Sequence, residues 1–193
     1  MNMTRRSCLG ALSFGALGAF AVSPALAATT EFSQFNAWRY SFPSVDGGEI
    51  RLGDLKNKVV LVVNTASQCG YSGQFAGLEQ LYLRYAARGL VVLAIPSNDF
   101  GGQEPGGATE IKATAEGEYH VTFPIAAKTV VKGDAAHPFY KWTAELRPRD
   151  VPRWNFHKYL IARDGHLAAV FNTAVDPTDP KVIAAIVAEL GDA

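Results

Sequence analysis

Cysteine is nearly missing from this sequence: Cys8 and Cys69 are the two such residues among 193. That count excludes a disulfide framework and a zinc site built from cysteines. The four histidines, His120, His137, His157 and His166, show no metal-ligand spacing. Net charge is missing too. Its 18 Lys+Arg balance 18 Asp+Glu, so no long-range field draws the chain to nucleic acid or to an anionic membrane surface. No apolar run reaches the roughly 20 residues of a bilayer span, which argues against stable membrane insertion. What remains is a globular balance, 48% hydrophobic and 19% charged, in a length that suits one packed domain.

Residues 1–27 read as an address and not as fold. Arg5-Arg6 form a positive start, Leu9 to Val22 an apolar stretch, and Ala25-Leu26-Ala27 a small-x-small cleavage pattern. Thr4-Arg5-Arg6-Ser7-Cys8-Leu9 looks like a twin-arginine signal, with Sec export the competing route. Either route predicts a periplasmic protein, with residues 28–193 as the mature domain. Cleavage after Ala27 leaves Cys69 as its one thiol. A lone thiol in an oxidising compartment is either buried and inert or kept for its reactivity.

Val59 to Val63 and Leu90 to Ile95 are continuous apolar runs of strand length, which predicts central strands buried on both faces. Phe75, Leu78, Leu81, Tyr82 and Tyr85 recur between them at helical spacing, and Gly89 is the stop. The unit is β-α-β, so the strands should lie parallel. Short helices are expected over Glu110 to Glu118 and His137 to Leu146. A hairpin is expected around Asp164-Gly165, joining Phe156–Ala162 to Leu167–Phe171, and a last helix from Pro180. Tyr40 to Leu52, with Asp46-Gly47-Gly48, reads as an N-terminal hairpin. This order is a thioredoxin-like α/β layout: a central mixed sheet flanked by helices, with an added N-terminal β-hairpin.

Cys69 falls in the loop between the first buried strand and its helix, expected to begin near Ser72 or Gly73. Open α/β sheets keep their sites at that end of the strands, and free amides at a helix start favour negative charge nearby. Cys69-Gly70-Tyr71-Ser72 carries serine where a dithiol motif would carry its second cysteine, so C-x-x-C exchange is excluded. The glycine-rich run from Gly101 to Gly107 lacks the G-K-[ST] ending of a phosphate loop. The histidines lack the local patterns of cysteine hydrolases, and His157 is expected to face solvent on its strand.

Three blocks carry a resemblance. Asn64-Thr65-Ala66-Ser67-Gln68-Cys69-Gly70-Tyr71, Pro96 to Gly106, and Trp154-Asn155-Phe156-His157-Lys158-Tyr159-Leu160 resemble, in order and spacing, the three signatures of the glutathione peroxidase family in its cysteine form. The likeness runs from about Phe35 to Leu190. It implies a catalytic tetrad of Cys69, Gln103, Trp154 and Asn155. Cys69 would be the peroxidatic thiolate, and the other three neutral N–H donors that hold the thiolate and the developing oxyanion. The product at Cys69 would be a sulfenic acid. No cofactor is implied beyond an external thiol reductant, such as glutathione or a thioredoxin-like protein.

The sequence departs from that family at one point. Many members carry a resolving cysteine before the Val121-Thr122-Phe123-Pro124 segment, and the matching position here is Ala115. An internal disulfide is therefore impossible in the mature chain, and oxidised Cys69 must be reduced from outside. The short connection from Leu146 to Trp154 replaces the longer insertion of tetrameric members, so a monomer is expected, with its thiol open to larger hydroperoxides. The alternative function is a redox sensor or relay, in which Cys69 passes its oxidation to a partner protein.

Overall fold

The computed structural model describes residues 36–191. The expectations for the leader, its cleavage and its export route lie outside the described residues.

The apolar runs form the two strands that the sheet is built around. β3 (Val59–Thr65) and β4 (Leu90–Pro96) pair in parallel, Val59 opposite Leu90 and Thr65 opposite Pro96. On the other side of β3 lies β5 (Lys158–Ile161), antiparallel, and beyond it β6 (Leu167–Phe171), giving the order β4-β3-β5-β6. A separate two-stranded hairpin, β1 (Ser41–Pro43) and β2 (Glu49–Arg51), precedes the sheet, as its glycine-rich turn predicts. Every residue of β3 is buried because each of its faces meets a different core. Val59, Leu61 and Val63 pack on one side, and Val60 and Val62 on the other.

Helices fill those two sides according to their apolar stripes. α1 (Gln74–Tyr85) and α4 (Pro180–Leu190) place Phe75, Leu78, Val182 and Ile186 on the first face. α3 (Pro138–Leu146) places Phe139 and Trp142 on the second, against Phe42 of the hairpin. Asp179 caps α4 by accepting from Lys181 N–H at 2.9 Å, and Pro180 opens it. Regular α1 begins at Gln74, one or two residues later than its sequence suggests. Ser72, Gln74 and Phe75 each donate to a carbonyl three residues back, so the chain winds tightly before the helix proper.

The segment after Gly107 differs in kind from the expected helix. α2 (Ala108–Lys112) runs into a π-helical stretch, Ala113–Glu118, in which Tyr119 N–H reaches Thr114 O at 3.2 Å. The hairpin turn at Asp164-Gly165 is as predicted. Its Gly165 has φ +93°, and a Cβ there would lie 2.6 Å from the Trp38 indole nitrogen, so only glycine fits. Among the described residues no helix is long and apolar enough to cross a membrane.

Candidate active site

β3 and β4 end side by side, and their outgoing loops are tied together at the carboxyl end of the sheet. Ser97 N–H donates to Thr65 O at 2.9 Å and Gln68 N–H to Gln103 O at 3.0 Å. Between these ties sits Glu104, 1% exposed. Its Oε2 accepts from the N–H and the hydroxyl of Ser67. Its own N–H donates to Asn98 Oδ1 at 2.9 Å. From outside, Lys128 Nζ donates to the carbonyls of Glu104, Pro105 and Gly106. Burial pushes the Glu104 carboxyl above the ordinary range, against the pull of Ser67 and Lys128.

The third loop is secured from the other flank of β3. Asn64, buried in the strand, donates through Nδ2 to Trp154 O at 3.1 Å, and its carbonyl accepts from Phe156 N–H. Its N–H donates to His157 O at 3.2 Å. Thus three successive blocks of sequence converge over the end of one strand.

Cys69 lies at their junction, a free thiol only 3% exposed between the exposed Gln68 and Gly70. Its Sγ accepts from Tyr71 N–H at 3.5 Å, so an amide of the tight winding before α1 points at the sulfur. Gln103 and Asn155 meet directly. Asn155, 0% exposed, donates through Nδ2 to Gln103 Oε1 at 3.0 Å and to Phe100 O at 3.4 Å. With its Oε1 so occupied, Gln103 keeps its Nε2 hydrogens available as donors. Trp154 is 38% exposed, its ring lying 6.1 Å from that of Phe100 and closely over Gly101. Gly101 and Gly102, both at positive φ, make the turn that leads into Gln103, and the Trp154 and Gln103 side chains both pack close to Gly101. In this state none of these three side chains hydrogen-bonds to Sγ; the pair is bound to itself and reaches the Cys69 loop through the Gln68–Gln103 backbone bond.

His157 corrects the sequence expectation. It is buried, 3% exposed, in the loop just before β5, with its ring 4.8 Å from that of Tyr159. Burial and the neighbouring Lys158 charge push its imidazole down to about 4, so it is neutral near pH 7. Its Nε2, Asn64 Oδ1 and Asn155 Oδ1 are buried without a hydrogen-bond partner. Such atoms are rare in folded proteins and collect where a site needs open hydrogen-bonding capacity. A groove of about 540 Å³ is lined by His157, with Tyr71, Trp154, Arg149 and Arg153 also on its walls.

Asn64, Glu104 and Lys158 build the site, although sequence reasoning assigned them no role. The available signal was a polar residue within or beside an apolar strand.

A thioredoxin-like sheet with a thiol at the β3–α1 junction, in a loop bonded to the amide-bearing loop from β4, is the arrangement of a thiol oxidoreductase. The family model for glutathione peroxidase matches residues 37–144. The chain is 41% identical over 150 residues to the hydroperoxy fatty acid reductase gpx1 of Synechocystis sp., covering 72% of this chain and 88% of that protein. The crystal structure of Trgpx in apo form superimposes with a TM-score of 0.63 at 36% identity, covering 78% of this chain and 95% of that one. A thioredoxin family protein from Chlorobium tepidum TLS shares the fold, with a TM-score of 0.61 at 17% identity over 81% of this chain and 96% of that one. The chain belongs to the glutathione peroxidase family. It is an oxidoreductase, a thiol-dependent peroxidase.

Proposed function

We propose that Cys69 is the reacting thiolate and that Gln103, Trp154 and Asn155 serve it as neutral donors. The thiolate attacks the distal oxygen of a hydroperoxide, the O–O bond breaks, and the departing oxygen takes a proton as water or alcohol. Sulfur becomes a sulfenic acid. A first external thiol displaces water from it to form a mixed disulfide, and a second releases Cys69 as the thiol. No bound cofactor enters, because the external thiol supplies both electrons.

The carrying observation is the placement of the sulfur: it accepts the Tyr71 amide just before α1, in a loop bonded through Gln68 N–H to the carbonyl of Gln103, whose Oε1 is held by Asn155 and whose Nε2 is left to donate. Neutral donors aimed at developing negative charge stabilise it without titrating themselves. Asn155 orients Gln103, and Trp154 supplies an indole N–H from the exposed side.

Hydrogen peroxide and organic or lipid hydroperoxides are the proposed substrates. The open groove beside Trp154 supports the larger ones, as does the name of the Synechocystis relative, a hydroperoxy fatty acid reductase. The proposed setting is the periplasm, reached through the twin-arginine or Sec signal of residues 1–27, with the protein a monomer. Cys69→Ser should abolish peroxide consumption while leaving the fold intact by circular dichroism; a variant that still turns over peroxide refutes the assignment. Steady turnover with glutathione or another small thiol separates this enzyme from a relay, which would be oxidised once and then trapped on one protein partner.

A further inference from the structure

Lys158 has no part in the chemistry above, yet it is 0% exposed within the core. An ammonium placed there must be matched donor for donor. Nζ donates to Gln74 Oε1 at 2.7 Å, to Phe156 O at 2.7 Å and to Val175 O at 2.8 Å. An ammonium has three N–H donors, and all three are occupied. A neutral amine has two, with a lone pair that would face the remaining oxygen. The cage fits the charged form.

Its three acceptors come from three parts of the fold. Gln74 opens α1, the helix that follows Cys69, and its Nε2 is itself held by Thr173 O at 2.8 Å. Val175 lies between β6 and α4. Phe156 directly follows Asn155, and it has φ +60°, a left-handed backbone that a bulky residue avoids. Its N–H is bound to Asn64 O, its carbonyl to Lys158, and its ring packs edge-on against Phe75 at 5.3 Å. The backbone at Phe156 sets the direction of the preceding residue, whose carboxamide holds Gln103.

We propose that Lys158 is a positioning residue of the peroxidase site: its caged ammonium keeps Phe156 in the left-handed backbone and so keeps the Asn155 carboxamide on Gln103, and the hold is released when the ammonium loses its proton. The proposal rests on Cys69 being the reacting thiol. Around the ammonium, Asp176 beside Val175 favours the charge, His157 just ahead of β5 is held neutral, and α1 presents the uncharged Gln74. Burial lowers Lys158 from its ordinary range to about 7, with Asp176 opposing, so the release falls near neutral pH.

The test follows oxidation of the reduced full-length protein by hydrogen peroxide, using tryptophan fluorescence from about pH 5 to 9, with Cys69→Ser as the blank. Rates are divided by the thiolate fraction measured from ultraviolet absorbance. The wild-type quotient should fall on the alkaline side through about 7. Lys158→Met should be roughly 10- to 100-fold slower and lack that fall. Lys158→Arg, always charged, should lack the fall and retain more of the rate than the Met variant. Gln74→Met removes one acceptor and should move the fall to lower pH. The proposal is overturned by a Lys158→Met variant that keeps the wild-type rate or an unchanged alkaline fall, and by a wild-type quotient without the fall; the peroxidase reading survives those results. If Lys158→Met does not fold, Gln74→Met decides, and a fall that stays in place is adverse. A wild type that reacts no faster than Cys69→Ser overturns both.

Discussion

One carboxylate oxygen of Glu104 accepts both the backbone N–H and the hydroxyl of Ser67, at 2.9 and 3.1 Å. The contact joins the Cys69 loop to the Gln103 loop across the ends of two parallel strands. Glu104→Ala leaves the Ser67 donors unpaired and should cost about 1–3 kcal/mol in denaturant unfolding, with slower sulfur oxidation. Glu104→Gln keeps an acceptor and should cost less. Because burial raises this carboxyl, its favourable state is the protonated one. The stability it contributes is therefore full below the ordinary glutamate range and lost as pH rises through the raised value. Glu104→Gln should remove that loss, read as unfolding midpoints across the acid range.

The proposed donors make a coupled prediction. Gln103→Ala and Trp154→Phe should each slow oxidation by roughly 10- to 1000-fold in stopped-flow fluorescence, the size expected for an oxyanion donor. Asn155 orients Gln103 through its 3.0 Å bond. Asn155→Ala should consequently add little to Gln103→Ala, although it is harmful alone. Fully additive losses would show that the two amides act separately.

His157 gives the acid side of the stability profile. Its ordinary pKa of 6.5 falls to about 4 in the folded chain, so the unfolded chain binds a proton first on acidification. Stability is full above about 6.5 and drains away as pH falls toward 4, by roughly 3 kcal/mol at most. His157→Gln should flatten that slope in denaturation curves taken through the same window.

With Ala115 buried where the family resemblance assigns a second thiol, one equivalent of hydrogen peroxide should add a single oxygen to Cys69. Intact mass of the reduced mature chain should rise by one oxygen. A loss of two hydrogens instead would signal an internal disulfide, which residues 28–193, with Cys69 as their one thiol, cannot supply.

Much of the fold was written in apolar spacing. The runs at Val59–Val63 and Leu90–Ile95 could only be satisfied inside a sheet covered on both faces, and α1 follows from the spacing of Phe75, Leu78, Leu81 and Tyr85. The π-helical stretch had no such marker, because a single widened turn leaves no period in six residues. His157 was misplaced because it was read as a strand residue with a wet face, whereas it lies just ahead of β5 and is covered. The sulfur and the three donor candidates were legible as motif residues. Their supports were not: Glu104 and Lys158 are charged, and charge ordinarily marks the surface. Only the coordinates show the oxygens and amides that enclose them.

The turn at Asp164-Gly165 closes the sheet at the end opposite Cys69, since β5 pairs Lys158 with Val63 and Ile161 with Val60. Ala37 N–H is bound to Gly165 O at 2.9 Å, and Asn36 Nδ2 to Asp164 O, so the described chain enters at that far pole. A tag, dye or surface tether joined ahead of Asn36 is thereby attached at the pole remote from the oxidisable sulfur, which makes that end the natural handle for immobilising the molecule with its reactive side outward.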